Sequence, residues 1–337
     1  LDMSSVVPLN IRLTDLKWEI ITSYNGGIDL GFLDDRITLS IEGYHSTTTD
    51  MLLEGYRIPS NSGFYTVPYH NSGKMRNVGW EFHINTNKLL KFGKFTMDAN
   101  VNFGNNRSVV LEMDEYVLTG LNSVFGYNNA EWLRRVQLDN PFGAIYGFRS
   151  KGVYNVNYST FANLTEEEQV GLLNGTLPDE FYKERGWTKR PMTAPIAINE
   201  KGEIVRDATG APLRMMFNYT NDATGKNYKF QGGDAIYEDV NHDGQINALD
   251  IVYLGSSLPK LTGGFGFTFN YGDWRLSTQF TYRFGNKIIN MARLNTESMT
   301  GNDNQSQAVN YRWRKEGDET SIPRAMYGSS SNYNTLV

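Results

Sequence analysis

The segment DVNHDGQINALD, Asp239–Asp250, holds the residues best suited to chemistry in this sequence. Counted from its start, side-chain oxygens stand at the first, third and fifth positions, in Asp239, Asn241 and Asp243. Gly244 stands at the sixth position, where the chain must turn sharply. Oxygen ligands at alternate positions followed by a glycine are typical of a calcium-binding loop of the EF-hand type.

The second half of the segment completes this pattern with one departure. Gln245 can offer its backbone carbonyl at the seventh position, Asn247 occupies the ninth, and Asp250 stands at the twelfth, where EF-hands carry glutamate. Hard oxygen ligands at this spacing suit Ca²⁺ better than Mg²⁺, so we predict a structural calcium site, with an affinity lowered by the shorter aspartate. An Asx-rich turn that needs no ion is the alternative. The predicted ligands are Asp239, Asn241, Asp243, Gln245, Asn247 and Asp250.

The sequence does not indicate other kinds of site chemistry. The chain has no cysteine, which excludes disulfides and thiol ligands, and its net charge of −5 argues against a nucleic-acid partner. No phosphate-binding glycine loop, nucleophile elbow or catalytic triad pattern occurs, so no enzymatic activity is predicted. The four histidines lack metal-ligand spacing; they are His45, His70, His83 and His242.

The elements around this segment show the period-two alternation of β-strands. It is clearest in Leu261–Phe284, LTGGFGFTFNYGDWRLSTQFTYRF, where aromatic residues alternate along two arms separated only by Gly272 and Asp273. Such a short connection predicts an antiparallel hairpin. One face of the hairpin is heavily aromatic, whereas the other carries Arg275 and Arg283.

The same alternation predicts four more strands nearer the start of the chain. The polar run Ser46–Thr49 breaks the pattern, and we expect mostly loop from there to Asn77. A turn is predicted at Leu33-Asp34-Asp35. The four predicted strands are 16–32, 37–41, 78–84 and 95–103.

The middle of the chain, from about 105 to 260, is polar and irregular. One helix is predicted there, because Thr165 and Glu168 form a capping box and Gly175 ends the apolar pattern. A short strand is predicted within Ala144–Tyr154. Four aromatic residues of this region could stack on sugar rings, although such residues more often pack loops together; they are Tyr154, Tyr158, Tyr182 and Trp187.

Strand length and loop length together favour a membrane barrel. Several predicted strands reach about ten residues, which a tilted membrane-spanning strand requires. Short connections alternate with long ones, as in outer-membrane barrels, and the charged face would line a wet lumen. A soluble β-sandwich alternates in the same way, so alternation alone leaves both architectures open.

Several blocks of the sequence resemble the SusC/RagA class of TonB-dependent outer-membrane transporters of Bacteroidetes. The most specific block is Gly233–Asn290, which begins GDAIYEDVNHDGQIN and includes the aromatic hairpin. Together the blocks cover roughly two-fifths of the chain in the order of the family. The other blocks are Leu16–Tyr44, Asn71–Thr86, Asn140–Tyr154 and, more weakly, Tyr311–Arg324.

The resemblance implies an all-β fold, an antiparallel transmembrane β-barrel with long extracellular loops and about 22 strands in the parent protein. We expect residues 1–337 to form the C-terminal part of that barrel. Residues 105–260 would be mostly extracellular loop with a short helix. The plug domain, the TonB box and the terminal aromatic strand of the family have no counterpart in the sequence.

The resemblance also implies a function. It predicts a bacterial outer-membrane location and TonB-dependent active import of oligomeric nutrients, oligosaccharides before peptides. A SusD-like surface lipoprotein and membrane lipid would be partners, and the TonB-ExbB-ExbD complex would act through the missing plug domain. The alternatives are a peptide importer of the RagA type and a non-transport, calcium-dependent surface glycan-binding protein. No residue is identified as substrate-binding.

Overall fold

The computed structural model describes residues 13–57, 66–115, 117–118, 124–127, 130–134, 138–218, 228–299, 301–302 and 304–326. The chain divides into two compact units, and it enters and leaves each of them more than once. The sheet unit comprises Leu1–Ser123, Arg134–Ile145 and Gly255–Ile288. The core unit comprises Val124–Leu133, Tyr146–Leu254 and Ile289–Val337.

The longest strands among the described residues belong to the sheet unit, whereas the core unit holds short strands. In chain order, the strands are β1 (Ile20–Phe32), β2 (Ile37–Thr49), β3 (Leu52–Arg57), β4 (Thr66–Asn71), β5 (Lys74–Thr86), β6 (Leu90–Phe92), β7 (Phe95–Glu112), β8 (Val124–Tyr127), β9 (Ala130–Arg134), β10 (Ala144–Gly147), β11 (Ser150–Val153), β12 (Met216–Phe217), β13 (Tyr228–Lys229), β14 (Ala235–Tyr237), β15 (Gln245–Ile246), β16 (Val252–Ser256), β17 (Leu261–Tyr271) and β18 (Trp274–Phe284).

Four short helices lie in the core unit. They are α1 (Tyr158–Ala162), α2 (Glu166–Asn174), α3 (Asp179–Glu184) and α4 (Met291–Glu297), with 3₁₀ turns at Ala248–Asp250 and Gln307–Tyr311. No helix of the described part of the chain is long and apolar enough to cross a membrane.

One antiparallel sheet of seven strands organises the sheet unit. Its order is β1-β2-β5-β7-β17-β18, and β6 adds to β7. The predicted hairpin is confirmed, because β17 and β18 pair from Leu261 opposite Phe284 to Tyr271 opposite Trp274. Gly272 turns between them with φ of +57°, which favours glycine. Strands β1 and β18 are the two edges of the described sheet, so the sheet is open rather than closed on itself.

Several predicted strand boundaries were wrong. Strand β2 does not break at Ser46, which pairs with Ser23 through a hydroxyl hydrogen bond of 3.0 Å, but continues to Thr49. Threonine-rich polar runs still favour strand backbone, because β-branched side chains fit a pleated surface. Strand β7 extends past the predicted end at 103 to Glu112, and β3 pairs with β4 where loop was expected. The strand predicted within 144–154 divides into β10 and β11.

The register gives the sheet one apolar face and one polar face. Because neighbouring residues of a strand point to opposite sides, each row across the sheet belongs to one face. A row of the apolar face reads, from β1 to β18, Leu30, Leu39, Ile84, Val101, Phe265 and Phe280. The next row lies on the polar face and reads Asp29, Ser40, His83, Asn102, Gly264 and Thr281.

The apolar face is not covered by a hydrophobic core. The clusters of buried hydrophobic side chains found among the described residues all lie in the core unit. Beside the sheet, Trp18 is 89% exposed, and on β18 Trp274 is 82% exposed. The rings of Phe265 and Phe280 stack on each other at 4.9 Å rather than on a second sheet. Apolar surface of this extent needs an apolar medium, which excludes the packing of a soluble sandwich for this sheet.

The height of the apolar face fits a bilayer. Strands β17 and β18 have 11 residues each. At about 3.4 Å per residue such a strand extends about 37 Å, and a tilt of about 45° reduces its height to about 26 Å. The outward apolar band of outer-membrane barrels is about 25 Å tall.

The core unit is stabilised by two hydrophobic clusters and a buried ion pair. One cluster surrounds Phe230, and the other packs the three helices α1 to α3 around Phe161 and Tyr182. Asp234 is fully buried and accepts a hydrogen bond of 2.6 Å from Arg324 Nε. The predicted capping box of α2 is confirmed, with Gly175 in the left-handed conformation at its end.

Replacing an apolar-face residue by arginine should destabilise the membrane-embedded sheet, whereas the same change one residue away should not. We expect Phe280→Arg to lower the free energy of unfolding in lipid vesicles by about 2–4 kcal/mol, because the row of Phe280 lies near the middle of the apolar band. Gln279→Arg, on the polar face, is the matched control. Equal losses for the two variants in urea unfolding would contradict the assignment of the faces.

Loss of the N-cap should loosen α2 locally. Thr165 Oγ1 accepts a hydrogen bond from the Glu168 amide, and Glu168 Oε2 accepts one from the Thr165 amide at 2.9 Å. Thr165→Ala should cost about 1 kcal/mol, which corresponds to about fivefold faster amide exchange in α2. Thr165→Ser keeps the hydroxyl and should exchange like the parent; hydrogen exchange read by mass spectrometry distinguishes them.

Candidate functional site

The predicted calcium loop lies in the core unit and is closed by its own side chains. The Asp239 carboxylate accepts hydrogen bonds from the amides of Asp243 and Gly244 at 3.3 and 2.9 Å. His242 and Gly244 have φ values of +57° and +80°, so the chain reverses where the sequence predicts a turn. A Cβ on Gly244 would lie 2.9 Å from Leu213 Cδ2, so a larger residue would have to displace the Leu213 side chain.

Three further predicted ligands hold one another within the loop. Asn241 Nδ2 donates to Asp243 Oδ2 at 3.0 Å, and Asn241 Oδ1 accepts from the Asp243 amide at 3.2 Å. Asp243 Oδ1 accepts from the Gln245 amide at 2.7 Å. These are bonds of the Asx-turn type, so the alternative weighed from the sequence describes the hydrogen bonding of this half of the loop.

Asp250 fastens the end of the loop to its beginning. Its side chain is fully buried, and its two oxygens accept from the amides of Val240 and Asn247, each at 2.8 Å. Asn247 Oδ1 accepts in turn from the Leu249 amide at 2.8 Å. Each carboxylate oxygen can accept more than one bond, so these contacts leave Asp250 able to ligate a cation as well.

The electrostatics of the loop show that its carboxylates repel one another. Burial raises the pKa of Asp239; the hydrogen bond from the Gly244 amide opposes that rise, and the charges of Asp250 and Asp243 add to it. Within the described residues, however, no three His, Cys, Asp or Glu side chains are grouped so that they could hold a metal ion. Calcium binding by the loop therefore stays a prediction.

The other residues singled out from the sequence do not form a site. His242 Nδ1 lies 2.7 Å from the Ile198 carbonyl, outside the loop, and His83 lies in the sheet unit, 3.5 Å from Glu81. Of the aromatic residues considered for stacking, Tyr154, Tyr182 and Trp187 are buried in the hydrophobic clusters, which confirms the packing alternative; Tyr158 packs against one of them.

An open groove in the core unit was missed by the sequence reasoning. It has a volume of about 740 Å³. Arg190 Nη1 lies 2.7 Å from Glu319 Oε2 there, and Arg190 Nη2 donates to the Gly317 carbonyl at 3.0 Å. The side chains and backbone that line it are those of Lys151, Gly152, Val153, Asn155, Arg190, Pro191, Thr193, Ile236, Tyr311, Glu319, Thr320, Ser321 and Ile322.

The groove combines an exposed ring with oriented polar groups. The Tyr311 side chain is 70% exposed. Lys151 Nζ forms an ion pair with Glu238 at 2.8 Å, and the hydrogen bond from Lys151 is the main reason that the pKa of Glu238 is lowered. A flat exposed ring beside a fixed guanidinium and carboxylate can stack on a ligand and donate and accept hydrogen bonds. Sequence spacing could not identify this set, because its members come from four separate segments of the chain.

Comparison with known proteins agrees with the architecture of the sheet unit. The family model described as "TonB dependent receptor-like, beta-barrel" matches residues 5–188. The TonB-dependent receptor P39 of Formosa agariphila is 27% identical over 287 residues, which are 85% of this chain and 24% of that protein. The TonB-dependent receptor SusC of Bacteroides thetaiotaomicron is 37% identical over 112 residues, 32% of this chain and 11% of that protein.

Solved structures share the fold. The RagAB peptide importer in its "closed-closed" state matches with a TM-score of 0.57 at 20% identity, over 95% of this chain and 27% of that chain. A second structure of the RagAB peptide transporter matches with a TM-score of 0.54 at 20% identity, over the same shares of the two chains. The chain thus spans about a quarter of the length of the relatives that it matches along most of its own length.

The family match covers more than half of the chain, and the structure supplies the features of such a barrel. Its sheet is antiparallel, its strands are long enough to span a bilayer, and one face carries a continuous apolar band. Neither the family nor the residues indicate an enzyme. This chain belongs to the family of TonB-dependent receptor-like β-barrels and is an outer-membrane β-barrel protein.

Proposed function

We propose that the full-length protein imports an oligomeric nutrient across the outer membrane by a TonB-dependent mechanism, together with a SusD-like surface lipoprotein. The observation that carries this proposal is the continuous apolar face of the seven-stranded sheet, backed by a polar face. Lipid can cover the first face, and water or cargo can contact the second. A calcium-dependent surface glycan-binding protein without a transport role does not need such a sheet.

The lengths of the connections between strands support one orientation of the sheet in the outer membrane. Strands β1 and β2 are joined by residues 33–36, and β17 and β18 by residues 272–273. In the sequence, the longest stretch of the core unit stands between β7 and β17. Because outer-membrane barrels have short periplasmic turns and long outer loops, we propose that the long connection between β7 and β17 is extracellular.

The core-unit groove supports an oligosaccharide as the cargo. A sugar ring can stack on the exposed Tyr311 ring, while its hydroxyls bond the Arg190–Glu319 pair and Asn155. The volume of about 740 Å³ is within the range of small-ligand sites. A peptide is the second candidate, favoured by the likeness to the RagAB peptide importer, although at 20% identity that likeness reflects the fold.

The loop of Asp239 to Asp250 supports a structural role for Ca²⁺. Three carboxylates occur within 12 residues; burial chiefly, and the charges of Asp250 and Asp243 in addition, raise the pKa of Asp239, and a divalent cation would offset both effects. The residues that would hold the ion are those predicted from the sequence, with Gln245 acting through its backbone carbonyl. Bound there, Ca²⁺ would fix the loop between β14 and β16.

If sugars stack in the groove, removal of the Tyr311 ring should weaken their capture. We expect Tyr311→Ala to reduce binding of an oligosaccharide mixture to the full-length transporter about tenfold, because the sugar loses the aromatic face on which its C–H groups pack, and exposed tyrosines often dominate binding energy. Tyr311→Phe keeps the ring and should retain binding within about twofold. Calorimetry measures both; equal binding by parent and Tyr311→Ala would remove the groove from the proposal without affecting membrane insertion.

Calcium should bind the intact protein and should bind more weakly in acid. Asp243→Ala should abolish the calorimetric signal, whereas Asp207→Ala, a carboxylate in another Asx turn of the core unit, should leave it unchanged. Because the pKa of Asp239 is raised, its protonated form persists to a higher pH than in an ordinary aspartate, and Ca²⁺ must displace that proton. Affinity should therefore fall as pH drops through this raised value. The absence of any Ca²⁺ signal at neutral pH would contradict the site.

A further inference from the structure

The apolar face of the sheet changes character at the end far from the short turns. From Phe82 back towards the start of β5, the residues on this face are Phe82, Trp80, Val78, Arg76 and Lys74. The change from aromatic to basic residues takes place within six positions. Tryptophan is typical of the membrane–water boundary, so Trp80 marks the point beyond which this face meets lipid headgroups.

A second arginine joins Arg76 on the neighbouring strand. In the register of β5 and β7, Arg76 lies opposite Val109, and Val78 lies opposite Arg107. Arg76 and Arg107 are therefore diagonal neighbours on one face, about 7–8 Å apart at their backbones. Two guanidiniums at this separation can bind one phosphate group between them, because arginine presents paired donors that match phosphate oxygens.

Arg107 is exposed and Arg76 is half-buried. Neither Arg76 nor Arg107 has a side-chain hydrogen bond or ion pair with another residue of the described ranges. Nearby, Lys74 Nζ lies 3.6 Å from Glu112 Oε1 in an exposed ion pair, so the Glu112 carboxylate already has a basic partner. Such a pair of free, like-charged groups on adjacent strands is destabilising unless an anion lies between them.

The depth of this cluster corresponds to headgroups. Arg76 lies four residues beyond Trp80 on β5. At about 3.4 Å per residue and a tilt of about 45°, it stands about 10 Å above Trp80, in the polar layer rather than the hydrocarbon. In the orientation proposed above, this layer is the outer leaflet, since the cluster lies at the end away from the short turns.

We propose that Arg76 and Arg107, flanked by Lys74, form a binding site for the phosphate of an anionic lipid in the outer leaflet. The site lies on the outside of the barrel wall, separate from the groove and from the calcium loop. It rests on the proposed orientation for the choice of leaflet, but the lipid contact itself depends only on the faces of the sheet. Binding there would hold the barrel at a fixed depth and would stabilise the ends of β5 and β7.

The test uses the purified full-length transporter in detergent micelles with phosphatidic acid as the probe. Native mass spectrometry counts bound lipid as its concentration rises. The double variant Arg76→Gln/Arg107→Gln should bind the lipid at least about tenfold more weakly, because each basic residue near an anionic surface contributes about 1 kcal/mol. Arg275→Gln, which removes one charge from the polar face of β18, is the matched control and should bind like the parent.

The outcomes separate this site from its alternatives. Equal affinity of the parent and the double variant, with both shown to be folded by their β-sheet circular dichroism, overturns the proposal. Full competition by millimolar inorganic phosphate would also overturn it, because the site would then recognise free phosphate rather than a lipid. Nutrient uptake measured in the same variants reports on the proposed function separately, since a transporter that has lost this lipid contact keeps its groove.

Discussion

The sheet unit depends on one constraint, the register that places every apolar row on the same face. A shift of one residue between any two strands would move a row such as that of Asp29 to the side of Leu30 and expose charge to lipid. The rows that cross all six paired strands do not tolerate such a shift. In one of them, Leu39, Ile84 and Val101 lie between Leu30 and Phe265, and none of these residues is polar. Since no described hydrophobic cluster lies in this unit, the register stabilises the sheet only when a bilayer covers its apolar face.

The core unit uses a different means of stabilisation, because its strands are too short to rely on long ladders. Buried polar groups hold its segments together. Asp234 accepts from Arg324, from the Tyr228 hydroxyl at 2.6 Å and from the Gln231 amide at 2.8 Å, which ties residues 90 positions apart. Loss of one partner would leave a charge buried without compensation, which costs more than the pair contributes. Asp250 is also fully buried and holds its loop together in the same way, so the carboxylates of Asp234 and Asp250 both stabilise the fold by accepting hydrogen bonds.

The sequence alone was sufficient to predict those elements whose determining contacts are local. The hairpin of β17 and β18 and the capping box of Thr165 were predicted, because a turn dipeptide and a cap act over a few residues. The end of β2 was predicted too early, since Ser46 gains its partner from a strand more than 20 residues away. The groove could not be predicted at all, because Arg190 and Glu319 meet only after the core unit has folded. Likewise the spacing of Asp239 to Asp250 gave the turn, but not the depth at which Asp250 is buried.

The loop from Asp239 to Asp250 also explains why one sequence pattern predicts both an Asx-rich turn and a calcium site. Asx turns and calcium ligation draw on the same oxygens, since a carboxylate oxygen that accepts an amide hydrogen keeps a second acceptor position. In this loop the amides of Val240, Asp243 and Gly244 orient the carboxylates before any ion is involved. That orientation also buries Asp239 and brings it near Asp250 and Asp243, and burial first and the two neighbouring charges second raise its pKa. Because backbone hydrogen bonds already order this loop, only small side-chain shifts are needed for its carboxylates to bind a cation. The Asx turns therefore support the proposed calcium site and do not exclude it.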